Sequence, residues 1–317
     1  MRSSTQVEQR IADSGPYGPR PGVLAAVTGI HSRRVAPDDW QASDLAVAAA
    51  GKLLAQRGVG AGDLDLLIFA SASQDMVEPA TAHIVAAKLG AHCPVFDLKN
   101  ACNSVLNAIQ VGEALIGSGQ YRRVLVCTGE VPSRAIRWSV RDREQFIESA
   151  PGYTLSDSGA ALLLEPHPSR GIFHRAFTAD SASWAVGTLP GGGTAHPRDP
   201  DFSYFRMDGG LLRRAFESLG VGVVFEAMAE HKLTWADFAL LAVHQVTVPF
   251  LEVFLQASGA PRELLVPVLA DYGNLASAAL PFQLATAIEQ GRVGPGDRVA
   301  LVGLAGGISL GVLFVDF

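Results

Sequence analysis

The chain repeats itself weakly at a spacing of 172 to 175 residues, and no other feature narrows its fold as much. "LLAQRGVGAGDLDLLIFASAS" is similar to "AMAEHKLTWADFALLAVHQVT", which sets Asp63 against Asp237 and Leu66-Leu67 against Leu240-Leu241, 174 positions on. "FDLKNACNSVLNAI" pairs with "LADYGNLASAALPF" at 172, placing Cys102 opposite Asn274, and "VLVCTG" pairs with "VALVGL" at 175. Three nearly equal shifts in chain order imply two similar βα halves. Such halves bring equivalent strand ends together, and strand ends are where α/β sheets place their sites.

Local patterning agrees. "DLLIFASAS", "CPVFDL", "RRVLVCTGE" and "GAALLLEP" are short apolar runs of strand type. Between them, "ASDLAVAAAGKLLAQRG" and "NSVLNAIQVGEALIGSG" space apolar residues as helices do and stop at glycine. Near-continuous apolar strands between helices predict a mainly parallel sheet covered on both faces. "VALVGLAGGISLGVLFV", Val299 to Val315, is too short to span a bilayer and holds four glycines; two buried strands joined by a turn are expected.

Composition excludes several classes. At 48% apolar and 18% charged, with mean hydropathy +0.22, the chain belongs with globular proteins. A formal charge of −6 and a pI near 5.7 argue against nucleic acid as the partner. "MRSSTQVEQRIADSG" has no apolar core, so neither a secretory signal nor a membrane association is expected. Cys93, Cys102 and Cys127 cannot all pair within the chain and form no CxxC, which suits a reducing cytoplasm and no bound metal.

Cys102 stands where an apolar run gives way to a helical pattern. Free N–H groups and the dipole at a helix start favour thiolate, the attacking form. Buried cysteines also simply pack, and position alone leaves both readings open. Cys93 and Cys127 are read as packing residues. His244 follows the apolar strand "LLAV", and Asn274 lies in "DYGNLASAAL"; singly, a core histidine and a turn asparagine would explain them. Placed by the repeat at strand ends, the three form a Cys/His/Asn set. "GLAGGIS", Gly303 to Ser309, is a glycine turn that lets a backbone N–H approach a substrate oxygen. "LPGGGTAHPRDPDF" is a loop with no GK[ST] after it, so phosphate cradling is not indicated.

From "TGIHSRR" to the C-terminus the chain resembles the β-ketoacyl-acyl carrier protein synthase III family, condensing enzymes of the thiolase superfamily. The residues that carry the resemblance are "ACNS", "SDSGAALLL", "FRMDGG", "HQVT", "DYGNLASAALP" and "GLAGG", in that order. It implies a duplicated α/β thiolase-like fold with a layered α-β-α-β-α core. Residues 1–165 would form the half bearing the cysteine, and 166–317 the half bearing His and Asn. It also implies an acyltransferase whose Cys102 takes an acyl group from a thioester. The N–H groups of Cys102 and Gly306 would hold the oxyanion, while His244 and Asn274 would activate a malonyl thioester that loses CO2. Substrates would be linked through phosphopantetheine to acyl carrier protein or coenzyme A, with no resident cofactor. The protein would be a homodimer serving fatty acid or polyketide and other secondary metabolism.

The departures bear on substrate. Thr247 replaces the asparagine of the family's "HQAN", and Pro249 replaces the arginine that contacts the carrier arm. Val23 and Val27 fall where tryptophan and arginine clamp the coenzyme A adenine. Arg214 falls where the family has a basic residue for the carrier, and Glu78 occupies an apolar position of the acyl pocket. A second reading is therefore transfer from Cys102 to a second carrier, hydroxyl or amine without decarboxylation. "SSTQVEQRIADSG" resembles the helix after the family's first strand, so that strand is expected to be missing and the recorded start to fall late. Val131–Tyr153 is expected to cover the site and touch the other subunit. A papain-type protease shares the Cys–His–Asn order and a 142-residue Cys102–His244 spacing, but "CG[SA]C[WY]" is absent.

Overall fold

Strands form where the apolar runs are, and two four-stranded sheets result, in a computed structural model that describes Met1 to Phe317. The first sheet contains β3 (Leu66–Ala70), β4 (Val95–Leu98), β5 (Val124–Glu130) and β6 (Ser158–Leu164), in the order β4-β3-β5-β6. The second contains β7 (Gly171–Ala179), β10 (Leu240–Val243), β11 (Arg298–Ala305) and β12 (Ser309–Asp316), in the order β10-β11-β12-β7. Short pairs complete the strands: β1 (Arg2–Ser3) with β2 (Ser32–Arg33), and β8 (Gly187–Thr188) with β9 (Arg206–Met207). The boundary at residues 165 and 166 falls between the two sheets.

The halves share one plan. β3 runs parallel to β5 and β5 antiparallel to β6; likewise β10 is parallel to β11 and β11 antiparallel to β12. They differ at the edges. β12 has β7 beside it, whereas β6 pairs with β5 alone and is half-buried along its length. The tight hairpin expected between Val299 and Val315 is β11-β12.

Helices fill the layers. α1 (Ser4–Ser14) and α2 (Val23–Thr28) pack through Val7, Ile11 and Leu24 on Ile136, Val140, Phe146 and Tyr153. α3 (Ala42–Arg57) and α4 (Thr81–Leu89) cover the outer face of the first sheet through Ala46, Ala50, Leu54 and Val85 on Leu67, Phe69 and Leu125. Cys127 and Cys93 pack in this layer, as expected. α5 (Ser104–Gly117) comes next, followed by α6 (Arg143–Ser149), α7 (Gly209–Leu219), α8 (Gly222–Glu230), α9 (Val248–Ser258), α10 (Leu269–Tyr272) and α11 (Ala279–Glu289). α5 and α11 lie between the sheets, with Val105, Leu106, Leu280 and Leu284 against Ile68, Val126, Leu240 and Leu301. α8 and α9 cover the outer face of the second sheet through Val224, Met228, Leu251 and Phe254. The result is the five-layer α-β-α-β-α arrangement.

The repeat is real, but its register near the site is 175 rather than 172. Two alanines hold left-handed backbone just before a helix, Ala101 at φ 46° ahead of α5 and Ala276 at φ 49° ahead of α11. α5 begins at Ser104 and α11 at Ala279, again 175 apart. Cys102 is thus the structural counterpart of Ser277, and Asn274 sits three residues earlier in its half. The pairing of Cys102 with Asn274 is corrected accordingly: a gapless match of small residues slips easily by three.

Close approach of α3 to the first sheet depends on a cross-strand glycine pair, Gly129 and Gly159. A Cβ at Gly129 would lie 1.8 Å from the Ala42 carbonyl oxygen, and one at Gly159 would lie 2.4 Å from that of Leu45. Backbone cannot yield as a side chain can. Gly129→Ala should therefore cost at least about 2 kcal/mol, read as a lowered calorimetric unfolding temperature. Gly62→Ala, where a Cβ meets nothing within 4 Å, should leave that temperature unchanged.

Candidate active site

Cys102 sits half-buried in the turn between β4 and α5, just after the left-handed Ala101. Its neighbour Asn103 donates from Nδ2 to the Ser309 carbonyl at 3.2 Å and to Ser309 Oγ at 2.9 Å. Those bonds tie the start of α5 to the start of β12, one end of the Gly306 turn. Gly303 allows this, since a Cβ there would collide with the Asn103 side chain. The pull of a helix start towards thiolate is outweighed here. Burial, reinforced by the Glu130 carboxylate, pushes the Cys102 thiol up to about 12, and its own backbone N–H offsets only part of this. Desolvation costs an anion more than the short turn before α5 returns.

His244 follows β10 directly, 2% exposed, and its N–H donates to the Val302 carbonyl of β11 at 3.0 Å. Its Nδ1 is buried with no partner in the chain. Burial pushes the ring down to about 4, so the imidazole is neutral throughout the neutral pH range. The residue after it is fixed by a buried amide network. Gln245 Nε2 donates to the Val266 carbonyl and to Gln283 Oε1, and Gln283 Nε2 donates to the Val243 and Ala279 carbonyls. Rigid backbone on both sides leaves the imidazole little freedom.

Asn274, 5% exposed, is held on three sides. Its N–H donates to the Thr154 carbonyl, its carbonyl accepts from Ser156 N–H, and its Oδ1 accepts from Ala276 N–H, each at 2.9 Å. With Oδ1 committed, the Nδ2 group is the part left to donate to a ligand. Three residues on, Ser277 Oγ donates to Glu130 Oε1 at 2.5 Å and bonds Thr128 Oγ1 at 2.6 Å. Glu130, 1% exposed at the end of β5, also accepts from Ala72 N–H, Ser73 N–H and Ser73 Oγ. One carboxylate thereby joins the loop after β3, the end of β5 and the Asn274 segment. Sequence reasoning missed Glu130, Ser277 and the two glutamines. A glutamate closing an apolar strand was the only available signal.

These contacts tie the start of α5 to the far end of the Gly306 turn and the Asn274 segment to the end of β5, both across the seam between the halves. A Cβ at Gly306 would meet nothing within 4 Å, so the turn borders open space. A cleft of about 1030 Å³ opens near the seam, lined among others by Ile147, Thr154, Val186, Met207, Leu212 and Phe250. Its link to the reacting centre runs through Thr154, whose carbonyl holds Asn274, and through Val246 and Thr247, which follow His244. Thr247 also caps α9, its hydroxyl accepting from Phe250 N–H at 3.3 Å. Glu144, Ile147, Glu148, Ala150 and Pro151 of the Val131–Tyr153 segment form one wall. Arg214 is exposed on α7, whose first residues also line the cleft, and it makes no ion pair. Glu78 is exposed in the loop before α4 and does not line the cleft of its own chain.

The family models agree with this architecture. The N-terminal model of 3-oxoacyl-[acyl-carrier-protein] synthase III matches residues 96–181, and its C-terminal model matches residues 228–317. The chain is 32% identical over 293 residues to the β-ketoacyl-[acyl-carrier-protein] synthase III of Symbiobacterium thermophilum, covering 90% of this chain and 86% of that one. With its counterpart from Neisseria meningitidis serogroup B it shares 30% identity over 297 residues, 93% and 90% of the two chains. Among solved structures, a glutamate-to-alanine variant of Xanthomonas campestris OleA superposes with a TM-score of 0.89 at 26% identity, over 99% of this chain and 94% of that one. A cysteine-to-serine variant of OleA with bound lauric acid and lauroyl-CoA gives the same values. A thiolase-like fold with its polar seam between the halves defines a condensing enzyme of the thiolase superfamily. Within it, this chain belongs to the β-ketoacyl-[acyl-carrier-protein] synthase III family.

A thiol held near 12 has a kinetic signature. Iodoacetamide labelling of Cys102, followed on its own peptide by mass spectrometry, should rise about tenfold per pH unit from pH 7 to 10. A plateau near pH 8 would show an activated thiolate instead.

Proposed function

We propose that the protein loads an acyl group from a thioester onto Cys102 and condenses it with malonyl-acyl carrier protein by decarboxylation. The observation that carries this reading is the buried Asn274 side chain, whose Oδ1 is committed and whose Nδ2 is left to donate, in a chain whose His244 is held neutral by burial. Two neutral donors suit a thioester carbonyl that becomes an enolate, and neither would be stabilised by protonation there.

The steps follow from the protonation states. Loading needs a base, because the thiol rests protonated, and the neutral His244 ring is the group at the seam that accepts a proton. Cysteine sulfur attacks the acyl carbonyl, the oxyanion rests on the N–H groups of Cys102 and Gly306, and the carrier thiol leaves. In the second half-reaction His244 and Asn274 donate to the malonyl carbonyl oxygen while its terminal carboxylate leaves as CO2. The resulting enolate carbon attacks the acyl-cysteine, the new C–C bond forms, and the cysteine sulfur departs and regains a proton. Carrier-borne substrates would enter by the cleft past Thr247, with exposed Arg214 at its rim available to an acidic carrier or its phosphate. The OleA variant with lauroyl-CoA supports an acyl chain of some length. A homodimer in the cytoplasm is part of this proposal, and in it the exposed Glu78 loop would be free to reach the partner subunit. Three unpaired cysteines suit that compartment.

A second reading, acyl transfer to another carrier, hydroxyl or amine, is favoured by one observation. Val23 and Val27 of α2 and Pro249 leave the cleft without the family's adenine clamp and arm-binding arginine.

Mass spectrometry of protein and carrier, mixed first with acyl-carrier and then with malonyl-carrier, separates the two. Wild type should yield a β-ketoacyl carrier with loss of CO2, and Cys102→Ala should take up no acyl group. Asn274→Ala should become acylated yet condense at least about 100-fold more slowly, whereas His244→Ala should slow both the acylation of Cys102 and the condensation. Acyl-Cys102 that forms but leaves malonyl-carrier intact would overturn condensation in favour of simple transfer.

A further inference from the structure

Away from the cleft, on the outer helical layer of the second half, three metal-ligating side chains converge: His174 of β7, Glu230 at the end of α8 and His231, which caps that helix. Their donor atoms all lie within 4.8 Å of one another. His174 Nδ1 and His231 Nε2 are 3.1 Å apart. Glu230 turns one oxygen to each ring, Oε2 at 3.8 Å from His174 Nδ1 and Oε1 at 3.8 Å from His231 Nε2. Donors around a tetrahedral Zn2+, each about 2.0–2.1 Å from the ion, stand about 3.3 Å from one another. The observed separations bracket that value.

The backbone is shaped to make this cluster. The β12-β7 register shifts so that His174 faces Phe314 and Ile172 faces Val315, which leaves Phe173 as an extra residue. Such a bulge re-aims side chains. Here Phe173 and His174 both reach His231, with ring centroids 5.1 and 5.0 Å away in edge-on contact. His174 is 9% exposed, whereas His231 and Glu230 are open to solvent on one side, leaving room for a fourth ligand such as water. The arginines nearby are compensated: Arg175 pairs with Glu113 at 3.1 Å, and Arg298 pairs with Asp316 at 2.8 Å. Two imidazoles and one carboxylate suit a borderline-soft transition-metal ion, and not Mg2+ or Ca2+, which take oxygen ligands.

We propose that His174, Glu230 and His231 bind a divalent transition-metal ion of the Zn2+ type, which clips the end of α8 to β7. The site lies apart from the condensing residues, since α8 and the cluster at its end sit on the outer face of the second sheet, whereas Asn103, next to Cys102, bonds Ser309 between the halves.

The test uses the full chain stripped with chelator, titrated with Zn2+ by calorimetry and with Co2+ by visible absorption. One equivalent should bind, the Co2+ form should show tetrahedral d–d bands without a thiolate charge-transfer band, and Zn2+ should raise the unfolding temperature. Glu230→Gln should weaken Zn2+ at least about tenfold and His231→Ala at least about 100-fold. Both positions are partly exposed, so the metal-free unfolding temperature of each variant checks that it folds. Cys102→Ala should keep the site intact. No uptake by wild type would overturn the proposal, as would uptake lost in Cys102→Ala but kept in His231→Ala, which would place the ion at the active-site seam.

Discussion

One buried carboxylate, Glu130, holds the seam on which the site depends. A charge that is 1% exposed is tolerable only when its lone pairs are used, and Ala72, Ser73 and Ser277 supply four donors. Those donors come from both halves of the duplication. Satisfying Glu130 therefore brings the Asn274 segment against the first sheet as surely as apolar packing brings α5 against α11. The same charge acts on Cys102, where it adds to burial in keeping the thiol protonated.

That arrangement divides the chemistry. Burial at the seam keeps cysteine and histidine both neutral at rest, so the one charge beside them is the fully hydrogen-bonded carboxylate of Glu130. In the proposed reaction, proton transfer then becomes part of loading rather than a standing condition. The cleft, by contrast, is open and built from loops, α6 and α7, the parts of the fold that vary most easily. In the proposed reaction, chemistry would rest on strand ends and selectivity on loops.

Much of the scaffold was legible because it is local. β3, β5 and β10 are buried along their whole length, so each reads as an unbroken apolar run. α3 and α5 follow their helical spacing to within a residue or two. Legibility stopped where partners are distant in sequence. Gln245 and Gln283, 38 residues apart, look like ordinary polar residues until their amides are seen to meet, and Ser277 meets Glu130 across 147 residues. The resting state of Cys102 was not legible for a related reason. Its position at a helix start is a local fact, whereas its burial and its distance from Glu130 are not.

The sequence by itself determined the duplicated α/β plan and the residue types available to the site, because periodicity and repetition survive in one dimension. Only the tertiary structure decided the register of 175 between the halves, the protonation states of Cys102 and His244, and the meeting of His174 with Glu230 and His231. Each of these depends on which groups exclude water from which others, and desolvation is a property of the packed chain that no short stretch of residues carries.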